Sequence, residues 1–280
     1  MDEHRQSARI DTRLPTHARL PVNRCNLPPV ILGSLTFQRH PAPVHLDGVE
    51  ALHGEFFKQL DSIDEPSQRA DRFKDFMRAA FCLDHPDEVG LQPQSQRLQR
   101  NRADYLRLLR GWLFDADSQE AAVLKGWVES RFGLLPRNHH GHLGDFSGDN
   151  YQVYLAARSH GLYNTNALEA QLDLLYTYSQ YELGRRHPDA QHLRLYRGIN
   201  RITEHEVLAR PSGHSWILLL NNLNSFTEDV ERADEFGDRI LCADVPLAKV
   251  LCFPTLLPAT LQGEQEYLVI GGVYEVSLYR

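Results

Sequence analysis

His187-Pro188-Asp189-Ala190-Gln191-His192-Leu193-Arg194-Leu195-Tyr196-Arg197-Gly198 is the stretch at which the hydrophobic period of this chain changes. Upstream of it, apolar residues recur at helical spacing. Downstream they alternate, or form short runs bounded by turn residues. A helical first part followed by a strand-rich second part predicts an α+β fold rather than an alternating βαβ one.

The strand-like runs fall at residues 192–196, 215–220, 240–245, 250–253, 267–270 and 273–278. Residues 228–236, charged and with few apolar positions, suit one short helix between strands. On the upstream side, residues 66–82 place Phe73, Met77, Ala80 and Phe81 at helical spacing, and residues 95–114 continue with Leu98, Tyr105, Leu108, Leu109 and Trp112. Asp117-Ser118-Gln119-Glu120 has capping-box spacing and opens a helix expected to stop near Gly133. Residues 165–183 carry Leu168, Leu172, Leu175 and Tyr176 on one stripe, with Gly184 expected just past the helix end. Residues 1–46, with Pro15, Pro21, Pro28, Pro29, Pro41 and Pro43, read as an extended arm with one short strand at Val30-Ile31-Leu32. The expected organisation is an arm (1–46), a helical region (47–187) and a β-rich core (188–280), the last two forming one compact unit.

A length of 280 residues, 42% of them hydrophobic, gives ample core to fold without staples. The net charge of −7 leaves no excess of Lys and Arg to neutralise phosphates, which argues against nucleic-acid binding. Cys25, Cys82, Cys242 and Cys252 show no CxxC spacing, and the last two lie in apolar, strand-like sequence, so buried thiols in a reduced cytoplasmic setting are expected. Met1-Asp2-Glu3-His4-Arg5-Gln6 lacks the apolar core of a signal peptide, and no stretch approaches the roughly 20 apolar residues needed to span a bilayer.

Three short motifs carry chemistry: Leu195-Tyr196-Arg197-Gly198, Asn224-Ser225-Phe226-Thr227 and Glu264-Gln265-Glu266-Tyr267. An arginine, a serine motif and a Glu-x-Glu, each beside a β-like segment, are the parts needed to cut NAD+ at its nicotinamide–ribose bond. Nicotinamide is already a good leaving group, so the task is to stabilise positive charge developing on the ribose. Glu266, at the start of the apolar run Tyr267-Leu268-Val269-Ile270, is the candidate carboxylate for that charge and for the ribose 2′-hydroxyl. Glu264 lies two residues earlier and shares its side of an extended segment, where it can orient an incoming nucleophile and help it lose a proton. Two solvated glutamates of a surface loop are the plain alternative. Arg197 can grip phosphate and ribose oxygens in fork geometry, and Gly198 lets a ligand or backbone come close. Ser225 and Thr227 can hydrogen-bond Glu266 or the ribose, or simply cap the helix expected near Glu228. Phe226 is either core or part of a nicotinamide pocket. No G-x-G-x-x-G follows any strand, so a Rossmann domain is not expected.

Other clusters have blander readings. Asn138-His139-His140-Gly141-His142, with Asp145, has metal-ligand residue types but reads better as a polar loop. The glycine-rich run from Gly144 to Asn150 reads as a connector. Arg97, Arg100, Arg102, Arg107 and Arg110 make a local basic face, either solvated or steering a partner, and the acidic run from Glu228 to Asp238 reads as solvated helix.

Residues 188–280 resemble the arginine-specific ADP-ribosyltransferases that carry an Arg–Ser–Glu signature. A closer likeness to the branch of that family that regulates nitrogen fixation runs through Asn23-Arg24-Cys25-Asn26-Leu27-Pro28, Gly148-Asp149-Asn150-Tyr151 and Tyr267-Leu268-Val269-Ile270-Gly271-Gly272, and so covers most of the chain. The resemblance implies a mixed β-sheet core with an NAD cleft, Arg197 and Ser225 as signature residues, Glu266 as catalytic glutamate and Glu264 as the upstream acid of arginine-modifying members. It also implies NAD+ as consumed substrate without a metal, transfer of ADP-ribose to one arginine of dinitrogenase reductase (the nitrogenase iron protein), and control by a PII-type signalling protein. Many relatives have Ser-x-Ser or Ser-Thr-Ser where this chain has Ser225-Phe226-Thr227, which leaves the role of Thr227 open. An NAD glycohydrolase, or a non-catalytic regulatory binding protein on the same fold, are the competing expectations.

Overall fold

The computed structural model describes residues 13–84, 103–162, 167–258 and 265–279, and in it the helices give way to strands at His187-Pro188. The helical part comprises α1 (Pro29–Leu32), α2 (Leu35–Arg39), α3 (Val49–Asp61), α4 (Pro66–Phe81), α5 (Tyr105–Phe114), α6 (Gln119–Phe132), α7 (Asp149–Gly161) and α8 (Ala167–Arg186). It is followed by β1 (His192–Ile199), β2 (Glu206–Ala209), β3 (Ser215–Phe226), α9 (Val230–Asp234), β4 (Arg239–Pro246), β5 (Val250–Cys252) and β6 (Tyr267–Leu278).

Local chemistry sets the helix ends. Asp104 caps α5 by accepting from Leu106 N–H at 2.9 Å, and Ser118 caps α6 by accepting from Ala121 N–H at 3.1 Å. α6 stops at Gly133, whose φ of +69° is left-handed backbone that favours glycine. α6 and α8 are buried on most of their circumference, which makes them the central helices of the fold. Their buried charges are paired. Arg131 of α6 forks onto Asp173 at 2.7 and 2.8 Å, and Arg69 of α4 forks onto Glu182 of α8 at 2.5 and 3.0 Å.

The strands form one sheet in the order β1-β4-β6-β3-β2, with β5 also on β6. Every described pairing is antiparallel, which corrects the expected mixed sheet. A parallel neighbour needs a long crossover, usually a helix. The described links between strands carry only short helical turns instead. α8 packs on β5, where Ser179 and Gln180 both donate to the Val250 carbonyl. A single buried cluster runs from Leu109 and Trp112 of α5 through Trp127 and Tyr176 to Phe226, Val250 and Leu268 of the sheet.

Four local expectations need correction. Val30-Ile31-Leu32 is helical, because Pro29 at the first helical position presets φ and lacks the N–H that would be orphaned there. Gly184 lies inside α8 rather than beyond it, since the helix runs on to Arg186. The runs at 267–270 and 273–278 are one strand through Gly271-Gly272. β2 adds an edge strand that was not anticipated. The part of the expected helix at residues 95–102 falls outside the described residues.

Candidate functional site

Arg197, Ser225 and Glu266 come from three separate segments and meet at one place. β1 is sewn to the residue just past β3 by a backbone bridge, with Tyr196 and Thr227 exchanging N–H···O bonds of 2.7 and 2.8 Å. Next to that bridge, Arg197 Nη1 donates to the Ser225 carbonyl at 2.7 Å. β3 and β6 pair with Ser225 opposite Leu268 and Phe226 opposite Tyr267. Side chains two apart share a face of a strand, so the pairing puts Ser225 and Glu266 on the same side. Trp112 of α5 closes the group, its indole N–H reaching Ser225 Oγ and Glu266 Oε1, each at 3.0 Å.

The electrostatics favour an anionic ligand beside Arg197. Arg197 is half-buried as a residue, and burial pulls its pKa down from the ordinary value while the Glu266 and Glu204 carboxylates pull it back. Its Nε is buried without a hydrogen-bond partner among the described residues, and so is Nε2 of His205. Burial, followed by the nearby Arg197 charge, pushes His205 down to about 4, so it is neutral near pH 7. A buried donor without a partner costs free energy. An entering anionic oxygen can satisfy the Arg197 donor.

The other expected site residues divide. Gly198 meets backbone: a Cβ there would stand 2.1 Å from the Ala233 carbonyl oxygen. Phe226 is buried in the core cluster. Thr227 Oγ1 accepts from Asp229 N–H at 3.1 Å, and Asp229 itself caps α9 by accepting from Glu231 N–H at 2.9 Å. The helix is therefore capped two residues later than expected, with Thr227 shaping the turn before it. Glu264 lies outside the described residues. Arg97, Arg100 and Arg102 of the basic face also fall outside them, whereas Arg107 pairs with Glu120 at 3.1 Å.

Two residues near the site carry no functional expectation from sequence. Trp112 fits a helical core stripe, and its only signal is that a buried indole N–H needs a partner. His205 lies in a segment without periodicity. Beneath Trp112, Lys125 Nζ sits 5.8 Å from its ring centroid and donates to Asp117 Oδ1 and the Asn138 carbonyl, both at 2.9 Å. His139 is fully buried beside it, and burial with the Lys125 charge pushes its pKa to about 4. The histidine loop thus packs against a buried ammonium. Among the described residues, no group of three His, Cys, Asp or Glu is placed to hold a metal ion. A cavity of about 670 Å³ is lined by residues such as Val49, Phe57, Tyr181 and Leu247 and by none of Arg197, Ser225 and Glu266. A recess of about 10 Å³ among Leu109, Leu113, Cys252, Phe253 and Leu268 shows instead how apolar side chains pack around the stem of Glu266.

The arginine, serine and glutamate that the sequence singled out thus come together beside antiparallel strands. Residues 22–278 match the family model described as dinitrogenase reductase ADP-ribosyltransferase (DRAT). The chain is 39% identical over 258 residues to the NAD(+)–dinitrogen-reductase ADP-D-ribosyltransferase of Rhodospirillum rubrum, covering 91% of this chain and 93% of that relative. It belongs to the dinitrogenase reductase ADP-ribosyltransferase family. No solved structure matches it.

Proposed function

We propose that this chain transfers ADP-ribose from NAD+ to one arginine of dinitrogenase reductase, releasing nicotinamide and switching nitrogenase off. The observation that carries the reading is the convergence of Arg197, Ser225 and Glu266 through direct contacts and the shared Trp112 donor. Glu266 accepts from the ribose 2′-hydroxyl and opposes the positive charge that develops as the nicotinamide bond lengthens. Its backbone enters β6, and a sheet-held element positions a charge tightly. Arg197 grips phosphate oxygens, and Ser225 holds the carboxylate side of the site. Glu264 orients the target guanidinium, which is otherwise always charged, and assists its loss of a proton. This chemistry calls for no metal, and control by a PII-type protein belongs to the same reading. The setting is the cytoplasm; among the described residues, no helix is long and apolar enough to cross a membrane.

Labelled NAD+ incubated with dinitrogenase reductase, using wild type and Glu266→Gln, tests the proposal. Wild type is expected to label an arginine of the target. The variant keeps shape but loses charge, and is expected to transfer roughly 100- to 1,000-fold more slowly or worse. Nicotinamide release without labelled protein would make the chain an NAD glycohydrolase. Equal labelling by both proteins would refute the assignment of Glu266, and neither binding nor cleavage of NAD+ would favour a non-catalytic binding protein.

A further inference from the structure

We propose that Trp112 is a positioning residue of the transfer reaction, through which the helical region sets the orientation of Ser225 and Glu266. The inference rests on the reading of Glu266 as the catalytic carboxylate. Trp127, a core tryptophan of the same fold, gives its N–H to one carboxylate, Asp173 Oδ1 at 2.7 Å. Trp112, 3% exposed, instead shares its single hydrogen between the two signature side chains, at 3.0 Å from each. One acceptor stands near the end of β3 and the other just before β6, so the indole staples the two segments across the site.

The chemistry of the donor matters. Indole donates and never accepts, so it cannot take a proton from the site. It is also neutral. A lysine or arginine at the same point would cancel the negative charge that must face the ribose, whereas an N–H fixes the carboxylate and leaves its charge in place. A carboxylate offers about four acceptor sites, so one shared hydrogen uses a small part of that capacity.

The ring itself is well anchored. Lys125 is 1% exposed and held at 2.9 Å by both Asp117 and the Asn138 carbonyl, with its ammonium beside the indole at 5.8 Å from the centroid. A cation near an indole is attracted to its π face. Trp112 is therefore fixed from α6 and the histidine loop on one side while it fixes Glu266 on the other.

The test measures kcat and KM for NAD+ with dinitrogenase reductase as acceptor, in wild type, Trp112→Phe, Trp112→His, Glu266→Gln and the Trp112→Phe/Glu266→Gln double variant, with thermal midpoints for each. Trp112→Phe is expected to lower kcat roughly 10- to 100-fold, the scale of a hydrogen bond to a charged group, with KM little changed. Adding it to Glu266→Gln is expected to cost almost nothing further, because the residue acts through that carboxylate. Trp112→His retains a ring N–H and is expected to recover part of kcat at a stability similar to that of Trp112→Phe. Wild-type kcat in Trp112→Phe, fully multiplicative losses in the double variant, or equal rates in the Phe and His variants each overturn the inference. Wild-type turnover in Glu266→Gln overturns the catalytic reading itself, an outcome separate from a failure of Trp112 alone.

Discussion

Arg197 is joined to Ser225 through the serine's backbone, not its hydroxyl: Nη1 donates to the carbonyl oxygen at 2.7 Å. In the sheet order, β4 and β6 stand between β1 and β3, yet β1 meets the residue after β3 at the Tyr196–Thr227 bridge. The sheet therefore curls, and the arginine sits where the curl closes. A guanidinium has five N–H donors, so a bond to one carbonyl leaves most of its fork for an anion. Arg197→Lys replaces the fork by a point charge that cannot serve carbonyl and phosphate in the same geometry. The expected result is a loss of NAD+ affinity of roughly 10- to 100-fold by titration calorimetry, on the scale of a lost charge-assisted hydrogen bond. Unchanged affinity would reduce Arg197 to a structural staple.

Gly198 shows why the residue after that arginine is small. A Cβ would press on the Ala233 carbonyl at 2.1 Å and on the Phe236 backbone at 3.0 Å, and both belong to the α9 segment rather than to flexible side chains. Gly198→Ala is thus expected to destabilise the fold by about 1–3 kcal/mol and to weaken NAD+ binding by shifting β1. Gly184 is the contrast: it lies within α8, and nothing stands within 4 Å of its added Cβ. Gly184→Ala is expected to raise stability by up to about 1 kcal/mol, since alanine loses less backbone entropy in a helix. Urea unfolding of the two variants checks both signs. A harmless Gly198→Ala would mean that α9 yields freely.

What was legible in the sequence follows from the range of the physics involved. Capping and periodicity act within a few residues, so α4, α6 and most strand positions were readable. Arg197, Ser225 and Glu266, which the fold brings together, stood out as motifs because each adjoins a strand-like run. The Gly271-Gly272 pair misled, because its meaning is long-range. A Cβ at Gly271 would stand 1.7 Å from the Asn221 carbonyl, Gly272 has a φ of +118°, and β3 shifts register opposite them, between Leu220 and Leu223. The glycines thus admit a bulge in the partner strand rather than a turn in their own. Trp112 was invisible as a site residue for a similar reason, since its partners lie 113 and 154 positions away.

Lys249 anchors that same irregular part of β6. It is fully buried and donates to the Gly271 carbonyl at 2.7 Å, with the Tyr274 ring 4.8 Å and the Phe37 ring 5.7 Å from its ammonium. No carboxylate pairs with it among the described contacts, and burial pulls its pKa down to about 7. An unfolded lysine keeps its proton up to about pH 10.4. Between those two values the unfolded chain binds a proton that the folded chain has released, so this group makes stability rise with pH across that window. Below about 7 both states are protonated and its contribution is flat. Lys249→Met keeps an unbranched stem and removes the titration, while leaving the Gly271 carbonyl without its lysine donor. Comparing urea unfolding of the two proteins cancels the other titrating groups. Wild type is expected to gain on the variant by up to about 1.4 kcal/mol for each pH unit between ~7 and ~9.5. A difference that stays constant across that range would mean that the ammonium remains charged inside the fold, and that its carbonyl and ring contacts suffice to hold it there.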